Sequence, residues 1–166
     1  MPCLQEELFV SIQKIYQKCG LVCDDFIPES ESKDYLAGSY FVNELKVQLR
    51  KSKITPTKIG QFVTLWKRSK GRGIAPYDTK DKIDFFIIQV EKDNYLGQFI
   101  FPKSILLEKN IFSCNGFGGK LGIRVYPSWD SPISKQAQKT QAWQLKYFIE
   151  TKSLNFCNYI KLLYEI

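Results

Sequence analysis

A central mixed β-sheet flanked by helices, an α/β (α+β) architecture, is what the sequence predicts, and three observations lead there. Residues 83–90 (IDFFIIQV) are almost continuously apolar, which fits a central strand covered on both faces. Lys92, Asp93 and Asn94 then make a turn, and residues 95–101 return as the neighbouring strand. The chain ends carry helical patterns: Leu4, Leu8, Ile12, Ile15 and Cys19 recur at helical spacing before Gly20, and residues 154–163 form a further apolar stretch. With 166 residues, 44% of them apolar, the chain is long enough for one sizeable core and too short for two comfortable ones, so a single domain over 1–166 is expected.

The remaining elements follow in order. Residues 24–33 are polar, hold Pro28 and read as a loop. Residues 39–42 and 45–50 read as two strands around Asn43-Glu44; in the second, Leu45, Val47 and Leu49 alternate with Lys46, Gln48 and Arg50, giving one apolar and one basic face. Thr55-Pro56 has the form of a helix start, with Ile59, Phe62, Val63 and Trp66 as the core stripe of the helix that follows. Lys58 would then sit in the first turn, where a cation opposes the helix dipole by about 0.3–1 kcal/mol, a placement that fits either a phosphate site or a solvated lysine. After the strand at 95–101, Pro102 closes it and residues 104–109 form a short helix. Asn115-Gly116-Phe117-Gly118-Gly119-Lys120 reads as a hairpin turn, residues 121–126 as a strand, and Ser134 as the cap of a long helix to about residue 150.

Charge is unevenly placed. Of a net +7, nine positive charges lie within residues 46–72, which hold no Asp or Glu, leaving −2 for the remainder. A single-sign charge in an ordered segment builds a directed field, so a polyanion, first of all nucleic acid, is the expected partner. The five cysteines are odd in number and form no CxxC pair, which predicts isolated reduced thiols and neither a disulfide framework nor a zinc ribbon. No histidine is present, which removes His-based nucleophile pairs, His-ligated zinc and His general bases. No phosphate-loop motif occurs, and no apolar run approaches the roughly 20 residues of a membrane helix. A cytoplasmic protein is expected.

The string 53–68 (KITPTKIGQFVTLWKR), followed in order by 83–88, by 97–103 (GQFIFPK), by Arg124-Val125-Tyr126-Pro127 with Trp129, and by 136–144 (QAQKTQAWQ), resembles the signature of the MepB family over about residues 35–148. The founding member of that family is encoded beside a multidrug efflux pump. The resemblance implies a restriction-endonuclease-like fold and a nucleic-acid-binding role. Nucleases of that fold place an Asp at the start of one core strand and an acid-x-Lys triplet at the end of its neighbour, so that two carboxylates hold Mg²⁺ and the lysine orients water and phosphate. Asp84 and Lys103 match two of these positions, while Phe101 stands where the second carboxylate belongs. A metal site would therefore need an acid from elsewhere, with Glu29, Glu31, Glu44 and Glu91 as the sources.

Three readings result. The leading one is a binding protein that grips DNA or RNA backbone without catalysis. Lys53, Lys58, Gln61 and Arg68 are its chief contacts, Arg50, Lys51, Arg124 and Lys139 widen the patch, and Trp129 is an exposed stacking platform. The second is a Mg²⁺-dependent nuclease using Asp84, Lys103 and a relocated carboxylate. The third is a regulatory module linked to efflux whose basic face meets an acidic protein partner. Lys53, Lys58, Asp84 and Lys103 are expected to converge in one cleft.

Overall fold

The computed structural model describes residues 1–71 and 73–165, so Arg72, the last residue of the basic stretch, lies outside the described residues. The elements are α1 (Leu4–Lys18), β1 (Cys23–Pro28), β2 (Gly38–Val42), β3 (Leu45–Lys51), β4 (Lys53–Ile54), β5 (Gln61–Thr64), β6 (Trp66–Ser69), β7 (Gly73–Pro76), β8 (Phe85–Lys92), β9 (Tyr95–Pro102), α2 (Lys103–Glu108), β10 (Gly122–Val125), α3 (Lys135–Gln144), β11 (Phe148–Glu150) and α4 (Phe156–Tyr164). Six strands form a mixed sheet in the order β1-β2-β3-β8-β9-β11, in which only β3 and β8 run parallel. A three-stranded antiparallel sheet, β10-β5-β4, and the β6-β7 hairpin stand apart from it.

The apolar run of β8 is explained by two cores. Phe85 and Ile87 point to the layer formed by α1 and α4, together with Ile12, Tyr16, Phe156 and Ile160. Phe86, Ile88 and Val90 point the other way, onto Leu106 and Phe112 and onto Val63, Ile123 and Val125 of the small sheet. Residues 85–90 are all buried, as a strand covered on both faces requires.

Four expectations are corrected. Residues 55–60 form an irregular loop leading into β5, and no helix follows Thr55-Pro56. Gly60 sits at φ +85°, and a Cβ there would lie 2.7 Å from the Tyr126 ring, so the backbone leaves helical space where the Ile59–Phe62–Val63–Trp66 stripe would need it. The segment expected as a loop at 24–33 begins as β1, an edge strand whose acids face outward, with Asp25 at φ 56° where the register to β2 slips. The helix capped by Ser134 ends at Gln144. A 3₁₀ turn over Leu145–Tyr147 then delivers β11, which pairs with β9 so that the Phe148 ring fills the space over Gly97. Finally, Cys19 and Cys157 form a disulfide across 138 residues, while Cys3, Cys23 and Cys114 are free. Tyr16 packs edge-on against Phe156 and Tyr164, and that contact draws α4 across the end of α1 and brings the two sulfurs together. No described helix is long and apolar enough to cross a membrane.

Candidate nucleic-acid interface

The basic stretch folds into β3–β6, and its charges meet different fates. Arg50 lies on the second face of β3, which is buried and not basic at the surface: the side chain is fully enclosed. Its guanidinium lies 3.4 Å from Glu29, donates to the Tyr77 hydroxyl and the Leu49 carbonyl, and stacks over Phe86. Burial raises the Glu29 carboxyl above its ordinary value, and Arg50 works against that rise. Arg50 is thus a core residue and cannot touch a surface ligand. Lys51 pairs with Glu91 at 3.0 Å, Lys67 with Asp81 at 2.7 Å, and Arg68 forks onto both oxygens of Glu31. Lys53 stays exposed, its ammonium 4.7 Å from the Tyr35 ring centre.

Gln61 is also removed from the surface. It is 1% exposed, accepts from the Ser52 hydroxyl at 2.7 Å and donates to the Glu91 carbonyl, so it stitches β5 to the main sheet. Trp129 is no open platform either. It stacks on Tyr95 and meets Phe148 edge-on, with its indole N–H buried.

Asp84 and Lys103 are main-chain neighbours, since the Lys103 N–H donates to the Asp84 carbonyl at 3.0 Å. Their side chains have other occupations. The Asp84 carboxylate accepts from the Lys46 N–H at 2.8 Å, and the Lys103 ammonium is held by the carbonyls of Thr79 and Asp81. Among the described residues no three Cys, Asp or Glu side chains gather as a metal site would need. Of the acids weighed as replacements, Glu29, Glu31 and Glu91 are each engaged by a cation. Of the four residues expected in one cleft, Lys58 lines a groove between the small sheet and α3, and Lys53, Asp84 and Lys103 are not among its lining residues.

That groove has a volume of about 800 Å³; Lys58, Lys109, Lys120 and Arg124 project into it, and none of its lining residues is acidic. Among the described residues, none of these four cations stands in an ion pair. Arg124 is steadied by a long hydrogen bond to the Ile59 carbonyl at 3.4 Å, which leaves most of its donors unused. The walls are joined by Gln144, itself 1% exposed, whose side chain accepts from the Tyr126 N–H and donates to the Arg124 carbonyl. Gln141 ties the same helix to the carbonyls of Pro127 and Asp130. Gln141 and Gln144 are therefore docking residues of α3. Ser134 caps α3 by accepting from the Ala137 N–H at 3.1 Å, and the first turn of α3 opens onto the groove.

The groove thus gathers Lys58 and Arg124 from the sequence-derived set. Lys139 is exposed on α3 beside it, without lining it. Nothing local in the sequence marks Lys109 or Lys120, since each is a lone lysine after a short helix or a glycine turn. Their convergence with Lys58 and Arg124 spans residues 58–124 and exists only in three dimensions.

The MepB-like family model matches residues 29–150. The chain belongs to the MepB-like family. The crystal structure of MepB is similar to it at 34% identity and a TM-score of 0.77, over 87% of this chain and 96% of that one. A bacterial homing endonuclease is more loosely similar, at 19% identity and a TM-score of 0.45, over 84% of this chain and 90% of that chain. No curated protein matches the sequence. The matched region of this MepB-like chain runs from β2 to β11 and takes in α3, and with them every residue that lines the groove.

Proposed function

We propose that this MepB-like protein binds the phosphate backbone of nucleic acid in the groove between the small sheet and α3, without catalysis. One observation carries the reading: four cations without ion-pair partners converge on a concave surface whose described lining contains no carboxylate. Cations held together without counter-charges repel one another, and a polyanion relieves that repulsion while releasing its own condensed counterions. The paired cations Lys51, Lys67 and Arg68 lack this drive, because their charge is already met. Asp84 and Lys103 stand outside the groove and take no part in the binding.

The test is a titration of labelled oligonucleotide followed by fluorescence anisotropy at several salt concentrations. Each neutralised phosphate contributes roughly 0.9 to the slope of log K against log salt on duplex and roughly 0.7 on single strands, so four cations predict a slope of about −3 to −4. Combined Lys58→Ala, Lys120→Ala and Arg124→Ala substitution should remove most of that slope. Combined Lys51→Ala, Lys67→Ala and Arg68→Ala substitution should leave it in place. Salt-independent binding, or equal effects of the two triple variants, would sink the proposal.

A further inference from the structure

We propose that the groove's ligand is single-stranded: an unpaired base lies on the groove floor while its flanking phosphates meet Lys58, Lys120 and Arg124. The inference rests on the backbone-binding reading above and adds the form of the strand. It comes from the floor, which cations alone do not explain. Phe62, Tyr126 and Trp143 all line the groove and are only half-buried, whereas the core aromatics Phe86, Phe99, Phe101 and Phe112 are at most 1% exposed. Part of each ring is therefore exposed where a cation-rimmed cavity lies, and the Lys109 ammonium stands 5.6 Å from the centre of the Trp143 ring.

Two of these rings are held in place from behind. Gly60 and Gly122 have no side chain, and the space a Cβ would take is filled by the Tyr126 ring at 2.7 Å and by the Phe62 ring at 2.7 Å. Gly60 reaches its φ of +85° only because it is glycine. Any other residue at either position would push its ring off the floor. A preformed aromatic surface inside a cationic groove is the combination that tracks an unpaired strand: the cations follow the backbone and the rings stack bases, whatever their sequence. A duplex offers the reverse, since its bases are stacked inside and its outer surface shows only sugar and phosphate. A convex phosphate ridge can meet the rim of this groove but cannot fill an apolar floor beneath it.

The test uses the full chain with three probes compared at the same series of salt concentrations: oligo-dT and oligo-U of roughly 16 nucleotides, and a hairpin duplex with the same number of phosphates. The single strands should bind at least about tenfold more tightly than the duplex. Binding of either should quench tryptophan fluorescence, and Trp143→Phe should abolish that quench. Tyr126→Leu should weaken single-strand binding on the order of tenfold while leaving the salt slope and the duplex affinity within about twofold. If Tyr126→Leu unfolds, the quenching in the unaltered protein decides. A duplex affinity equal to or above that of the single strands, without quenching, overturns the single-strand assignment and leaves the backbone-binding reading standing. Failure of all three probes to bind at low salt overturns both.

Discussion

Gln144 is the residue on which the two walls of the groove meet. Its amide satisfies the Tyr126 N–H and the Arg124 carbonyl at once, and almost none of it reaches water. Gln144→Leu keeps the approximate volume and removes both partners, leaving a buried donor and acceptor unpaired at about 1–3 kcal/mol. The expected result is a loss of that size in urea unfolding, together with weaker oligonucleotide binding even though no charge has changed. A variant as stable as the parent would mean that water reaches the site. Gln144 was legible only as one residue of a helix, because a glutamine's value here depends on what stands opposite. Arg50 teaches the same lesson in reverse: strand alternation put it with the surface cations, while Glu29, Tyr77 and Phe86 make it part of the core.

At the scale of elements, strands and helices were readable wherever one period dominated, as in α1, β2, β3, β8, β9 and β10. Misreadings fell where two patterns overlap. Ile59, Phe62, Val63 and Trp66 suit a helix by spacing, but the run from Gln61 to Thr64 also alternates in burial as a strand does, and ladder bonds to β4 and β10 decide for the strand. The glycine turn that brings Lys120 to the groove is anchored from outside by Asp78. The carboxylate accepts from the Ser113 hydroxyl at 2.7 Å and the Gly116 N–H at 2.9 Å, and also from the Lys80 N–H and the Thr79 hydroxyl. These bonds, with that of Ser113 the largest cause, hold the Asp78 carboxyl well below its ordinary range. The unfolded chain therefore takes up the proton first, so this stabilisation is complete at neutral pH and fades as pH falls below about 4. Asp78→Asn should cost about 1–3 kcal/mol at pH 7, by unfolding across a pH series, with the gap to the parent narrowing in acid. A gap that is constant with pH would show that the charge is immaterial.

For the whole molecule, charge pairing and chain closure are the two properties that local sequence could not hold. The disulfide joins the end of α1 to α4 across 138 residues, and closing so long a loop restricts the unfolded chain strongly. Cys157→Ser should lower stability by about 2–4 kcal/mol under oxidising conditions, and the difference should vanish once the parent is reduced. Equal stability of the two proteins without reductant would remove the bond from the account. The sequence by itself determined the buried central strand, the terminal amphipathic helices, the family motif and the total of positive charge, because periodicity and composition are local properties. Which cations stay free was decided by the tertiary structure alone. Glu29, Glu31, Asp81 and Glu91 lie outside the acid-free stretch, yet fold onto Arg50, Arg68, Lys67 and Lys51. Lys109 and Lys120 arrive from beyond it to join Lys58 and Arg124. Coulomb attraction acts through distance in space and ignores distance along the chain, so the charged face moved from where the lysines are densest to where the fold leaves them unanswered.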